Sequence, residues 1–147
     1  MSRFHLAFAV ATMQLCGVAG ASGSADSITI SDAYVRQAPP GSPATGAFMV
    51  LHNSGSKLVK LIKADNPVSQ LTELHTHLHE GGMMKMRPVK DIPIPAGGEA
   101  RLQPGGLHIM LIDMKAPLLD GDQLPLTLSF DDGSSKVIKL PVKKPTL

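Results

Sequence analysis

Four side chains in this chain, His75, Met86, His108 and Met110, are of types that bind soft metal ions. Ten residues separate His75 from Met86, twenty-one separate Met86 from His108, and Ile109 alone lies between His108 and Met110. Thioether sulfur is soft and neutral, and it selects monovalent copper over hard cations such as magnesium or calcium. Imidazole is a borderline ligand that takes copper in either oxidation state. Two imidazoles with two thioethers therefore point first to Cu(I).

The surroundings of the quartet bear on how it could assemble. In Glu73-Leu74-His75-Thr76-His77-Leu78-His79 every second residue from 75 is histidine. On a strand, His75, His77 and His79 would share one face. Gly81-Gly82 then allows a tight reversal, and Met84 and Met86 would share a face of the returning strand. His108 and Met110 would project together from a third strand. The blander readings stand beside these. Methionine is a common core filler, so Met49 and Met114 read as core, and Met83 and Met84 as packing. The alternation at His77 and His79 fits a solvated strand face as well as extra ligands. His52, next to Asn53, reads as a strand end or a solvent-facing residue.

The elements that must position these residues are short. Turn signals recur at Pro39-Pro40-Gly41, Asn53-Ser54-Gly55, Gly81-Gly82, Pro95-Ala96-Gly97-Gly98, Pro104-Gly105-Gly106 and Asp131-Asp132-Gly133. Between them the sequence predicts strands near 28–36, 45–52, 57–65, 71–77, 83–89, 99–103, 107–114, 123–130 and 136–142. Leu107, Ile109 and Leu111 would face one way, and His108, Met110, Ile112 and Met114 the other. Leu124, Leu126, Leu128 and Phe130 make an apolar stripe. No segment keeps a helical period over three turns, and proline interrupts most candidates. Many short strands with regular turns indicate an all-β antiparallel sandwich or barrel. Aromatic residues are 3% of the chain, so its core must come from Leu, Ile, Val and Met.

The start of the chain reads as a targeting segment. Arg3 precedes a mostly apolar run, Leu6 to Val18, and Ala19-Gly20-Ala21 supplies an A-x-A pattern. Residues 1–21 are assigned as a cleavable signal peptide, with cleavage after Ala25 as the alternative. Residues 22–147 form one domain, whose first residues, 22–27, are expected to be disordered. The apolar run is too short for a membrane span. The single cysteine, Cys16, lies within it, and the bulky Leu15 before it disfavours lipidation. The mature chain then has no disulfide, no thiolate for zinc or an iron–sulfur cluster, and no thiol nucleophile. Loss of Arg3 leaves a net charge of about +1, with histidine neutral. No basic stripe or aromatic platform suggests nucleic acid. No nucleophile elbow or Ser-His-Asp pattern suggests a hydrolase.

The segments Glu73-Leu74-His75, Met83-Met84-Lys85-Met86-Arg87-Pro88-Val89, Pro95-Ala96-Gly97-Gly98, Leu102, Pro104-Gly105-Gly106-Leu107-His108-Ile109-Met110-Leu111 and Pro117-Leu118 with Gly121-Asp122 resemble the periplasmic copper(I) chaperones of the PCuAC type. That family supports assembly of the binuclear CuA centre of cytochrome c oxidase. Its signature is H-x10-M-x21-H-x-M, met here by His75, Met86, His108 and Met110. The resemblance spans about residues 28–142. It implies a cupredoxin-like Greek-key β-sandwich with Cu(I) in an exposed site at one end. Tyr34 stands where many members have tryptophan, a packing substitution. Residues 143–147 contain no His or Met, so the His/Met-rich tail with which some members capture Cu(II) has no counterpart there, and His77 and His79 are the residues that could substitute in part.

The expected function is a periplasmic, monomeric metallochaperone, not an enzyme, that carries Cu(I) to a copper-acceptor protein, a CuA-type oxidase subunit. A periplasmic copper buffer is the alternative. A copper redox enzyme is a weaker third. A blue-copper site is excluded because it needs a cysteine thiolate.

Overall fold

The structure is a computed structural model that describes residues 23–146; the signal peptide read at residues 1–21, and Cys16 with it, lies outside the described residues. A single helical turn, α1 (Ser24–Ser27), precedes ten strands. These are β1 (Ile28–Arg36), β2 (Ala44–Asn53), β3 (Val59–Asp65), β4 (Ser69–Glu80), β5 (Met83–Pro88), β6 (Ile92–Ile94), β7 (Glu99–Leu102), β8 (His108–Met114), β9 (Gln123–Phe130) and β10 (Ser135–Lys143). The all-β expectation holds. One strand was not foreseen: β6, Ile92-Pro93-Ile94, is only three residues long and carries a proline. It is an edge strand, where a residue without an N–H need not break the ladder.

Hydrogen bonding runs in the order β5-β4-β8-β2-β1-β10-β9-β3-β6, with β7 added alongside β2. The path folds over so that β5-β4-β8-β2-β1 and β10-β9-β3-β6 form two layers around one core. All pairings are antiparallel except a short parallel contact of β1 with β10, Val35 with Val142 and Arg36 with Lys143. That contact follows a bulge in β1: the register with β2 shifts between Ser31 and Tyr34, and Asp32 takes a φ of 52°. A bulge bends its strand and increases local twist, which lets β1 serve both layers.

The core is the period-two pattern made solid. Leu124, Leu126, Leu128 and Phe130 are all essentially inaccessible, as are Ile109 and Leu111 of β8 and Met49 and Leu51 of β2. Met114 packs against this core from its margin. His52, next to the last residue of β2, faces solvent with its side chain 42% exposed, as the sequence reading allowed. It shares a hydrogen bond with Ser31 Oγ at 2.9 Å and lies 3.3 Å from the Glu99 carboxylate.

Residues 24–27 were expected to be disordered and are not. The β9–β10 turn supplies acceptors for them: the Ser24 amide donates to the Asp132 carboxylate at 2.7 Å, and the Ala25 amide to Ser134 Oγ at 2.9 Å. Ala25 is buried as a result. Donors from Ser134 and Ser24, the Ser134 hydroxyl foremost, hold the Asp132 carboxyl well below the usual carboxylate range.

β4 and β5 extend beyond the layer they belong to. β8 pairs with β4 only from Ser69 to His75, while β5 pairs with it from His75 to Glu80. From Thr76 onward the two strands form an arm with no third strand beside it among the described residues. The arm closes through Gly81 and Gly82, at φ 59° and 77°. Two positive φ values in a two-residue loop are what the twist of a hairpin demands, and glycine adopts them without a steric penalty.

Candidate functional site

The candidate ligands come together on the outer face of the β5-β4-β8-β2-β1 layer, where the arm departs. In β4–β8 pairing, His75 is directly opposite His108 and Glu73 opposite Met110. In β2–β8 pairing, Gly46 is opposite Met110. Directly opposite residues share a face, so Glu73, His75, His108, Met110 and Gly46 all look outward. The alternate residues Leu74, Ile109 and Ala47 look into the core. Gly46 makes room for the Phe48 ring: a Cβ there would stand 2.9 Å from it.

A cavity of about 450 Å³ opens at this place. Its donor atoms come from His77, Met86, His108 and Met110, and its walls include Arg36, Gly46, Phe48, Pro104 and Gly105. Among the described residues no carboxylate side chain lines it. The set suits a soft monovalent ion and offers nothing for calcium or magnesium, which need several oxygen ligands. Among the described residues no three His, Cys, Asp or Glu side chains are placed to hold a metal ion together; the thioethers of Met86 and Met110 are the soft donors that the cavity adds to its imidazoles.

His108 is the most buried of the donors, 3% exposed at the foot of β8. Its Nδ1 lies 3.1 Å from the Gly106 carbonyl. A carbonyl accepts only, so Nδ1 carries the proton and Nε2 keeps its lone pair for a ligand. Burial lowers the His108 pKa; the Gly106 carbonyl opposes that, and the neighbouring His77, His75 and Arg36 add to it. The ring is thereby kept neutral and able to ligate. It sits in a row of rings, with centroids 6.2 Å from Phe48, 5.7 Å from His75 and 5.1 Å from His77. Tyr34, expected as a packing residue, stacks on Phe48 at 5.3 Å, and Arg36 and Lys143 lie over the Phe48 and Tyr34 rings.

His75 stands beside the cavity. Its Nε2 is 2.7 Å from the Glu73 carboxylate, and its Nδ1 is buried without a hydrogen-bond partner. A carboxylate on one ring nitrogen orients the ring and leaves the other for a metal. The same orphaned Nδ1 is found in His77. Buried polar atoms without partners are rare and call for an explanation such as an absent ion.

Of the four residues singled out from spacing, Met86, His108 and Met110 line the cavity and His75 flanks it. His77, a secondary candidate in the sequence, lines it as well. The strand alternation was the signal for His77; the partner it faces depended on a hairpin register that only the fold supplies. Met83 and Met84, expected as packing, are instead 64% and 48% exposed at the end of the arm. The arm has no second layer over it, so nothing is there for them to pack against.

Comparison with known proteins agrees with this picture. The chain matches the LpqE-like lipoprotein family over residues 28–142. A protein of Leifsonia xyli subsp. xyli, named as a lipoprotein, is 38% identical over 120 residues, covering 81% of this chain and 71% of its own. A Rickettsia prowazekii protein is 31% identical over 97 residues, 65% of this chain and 53% of that one. Among solved structures, the Cu(I)-bound form of DR1885 from Deinococcus radiodurans is 37% identical with a TM-score of 0.63, covering 76% of this chain and 74% of its own. The copper-bound PCuAC domain of PmoF2 is 21% identical with a TM-score of 0.68, over 81% of this chain and 94% of that domain, a likeness of fold. With four-fifths of its length matched by the family and the same sandwich in its structural neighbours, the chain belongs to the LpqE-like family.

Proposed function

We propose that this protein binds one Cu(I) ion with His75, Met86, His108 and Met110 and hands it to an acceptor protein outside the cytoplasm. The observation that carries the reading is the convergence of two thioethers and two imidazoles, the buried His108 among them, on one cavity without a carboxylate among its described lining residues, with a third imidazole, His75, at its edge. The Cu(I)-bound state of DR1885 and the copper-bound PmoF2 domain support copper as the cargo. The signal-like start of the sequence and the lipoprotein name of the family support an extracytoplasmic place. A CuA-type oxidase subunit is the acceptor we favour, and the protein acts as a monomer by binding and release, not by catalysis.

The chemistry suits transfer. Neutral sulfur and nitrogen donors, with Arg36 in the cavity wall, make no anionic trap. Met86 is 47% exposed, so an incoming ligand can displace it first. Each ligand exchanged is then one step of a shared intermediate, and a small, transient interface suffices.

Two measurements test the reading. Cu(I) competition against a chromogenic chelator should show weaker binding for Met86→Leu and Met110→Leu. Leucine nearly conserves volume, so their folding stability should change by less than about 1.5 kcal/mol. Affinity equal to wild type in both would exclude thioether ligation. Next, Cu(I)-loaded protein is mixed with an apo CuA-type domain, directly and across a membrane that passes copper only. Direct mixing should transfer copper far faster. Equal rates would mean simple release and a copper buffer.

A further inference from the structure

The H-x10-M spacing pairs Met86 with His75, but the fold pairs it with a different imidazole. In the β4–β5 arm, Met86 is directly opposite His77, and His75 is opposite Pro88. Opposite residues have Cβ atoms about 4.5–5.5 Å apart, and diagonal ones about 7–8 Å. The His77 ring also lies nearer to His108 than His75 does, at 5.1 Å against 5.7 Å. His77 lines the cavity together with Met86, His108 and Met110. Its Nδ1 is buried without a partner.

From this geometry we infer that His77 is a fifth copper donor, which alternates with His75 in completing the set formed by Met86, His108 and Met110. The inference rests on the copper-binding reading above. Three imidazoles do not converge on one point among the described residues, so His75 and His77 act in turn. Their positions divide the work. His75 is tied to Glu73 and sits where β4 is still flanked by β8. His77 is one rung further along the arm, on the same face, beside the half-exposed Met86. Copper held through His75 is in the docked position. Copper held through His77 and Met86 is displaced toward the arm and open to an acceptor's ligands. No bond to protein need be lost without another forming, and the ion stays monovalent throughout.

His79 extends the same face one further rung, opposite Met84, but it is exposed and lies outside the cavity. It serves as the internal control. The test uses the mature protein with Cu(I) alone, in His75→Ala, His77→Ala, the double variant and His79→Ala. Affinity is read by chelator competition, and the imidazole resonances of His77 by NMR during titration. Each single substitution at 75 or 77 should leave one Cu(I) bound but weaken it by at least the roughly tenfold that loss of a supporting partner costs. The double variant should lose at least a further tenfold. The His77 ring resonances should shift with copper, and His79→Ala should match wild type. Unshifted His77 resonances with wild-type affinity in His77→Ala would overturn the inference and leave the four-ligand site intact. A wild-type protein that takes up no Cu(I) would instead overturn the copper reading itself. Should His77→Ala fail to fold, His77→Gln keeps the side chain's bulk, and the wild-type NMR titration decides the matter without any variant.

Discussion

His108 joins the chemistry of the site to the stability of the fold. Burial lowers its pKa from 6.5, so the folded state binds a proton there less readily than the unfolded chain does. Stability contributed at this position is complete above the unfolded value and falls as the pH drops below about 6.5, until the folded form also protonates. Apoprotein unfolding followed by circular dichroism should therefore show a midpoint that declines from pH 7 to pH 5, and His108→Gln should flatten that decline. Cu(I) affinity should fall over the same range, because imidazole must be neutral to ligate and methionine does not titrate. His108 and Met110 were legible in the sequence because strand alternation alone puts them on one face. The role of Glu73, two residues before His75, was hidden. A carboxylate near a histidine in sequence becomes its orienting partner only when strand geometry brings both to one side.

The β4–β5 arm carries His77 and Met86, two of the cavity's donors, beyond the edge of β8. Among the described residues, the strand pairing of Thr76–Glu80 and Met83–Arg87 is only with one another, and a two-stranded hairpin is marginally stable by itself. Lys85 and Arg87 reach Glu80 at 3.4 and 3.7 Å, but these ion pairs are exposed and add little. Amides of Thr76–Glu80 should exchange with solvent faster than those of β2 and β8 in the apoprotein. Copper bridging Met86 to His108 should slow them, and hydrogen exchange with mass spectrometry reads both states. Equal exchange in the two states would mean that the arm takes no part in binding. The hairpin itself could be read from Gly81-Gly82 between alternating residues. Its reach beyond β8 could not, since nothing in a strand's own sequence says where its neighbour stops. The three-residue β6 escaped notice for a related reason: so short a segment has too few alternations to stand out.

On the scale of the whole molecule, binding and folding are separated by a sheet. The donors stand on the outer face of one layer, while Leu124, Leu126, Leu128 and Phe130 fill the space behind it from the other. Phe130→Ala should cost roughly 3–5 kcal/mol of stability, seen as a lower urea midpoint. At low denaturant the protein that remains folded should bind Cu(I) with unchanged affinity. Short strands between regular turns left a sandwich or a barrel open in the sequence, and only the resemblance to the copper(I) chaperones implied the sandwich. The joining of the layers through parallel β1 and β10 was not legible, since it depends on a bulge at Asp32 that no local pattern announces.

The row of rings from Tyr34 through Phe48 to His108 has an optical consequence. The chain contains one tyrosine and no tryptophan. Excited at wavelengths that phenylalanine does not absorb, the chain's ultraviolet emission therefore originates at Tyr34, 5.3 Å from the Phe48 ring, which in turn lies 6.2 Å from the His108 ring. Loading with Cu(I) should change the intensity of that single fluorophore in proportion to occupancy, and Tyr34→Phe should abolish the signal without releasing the metal. Such a response would serve as a gauge of occupancy, readable in real time without a label.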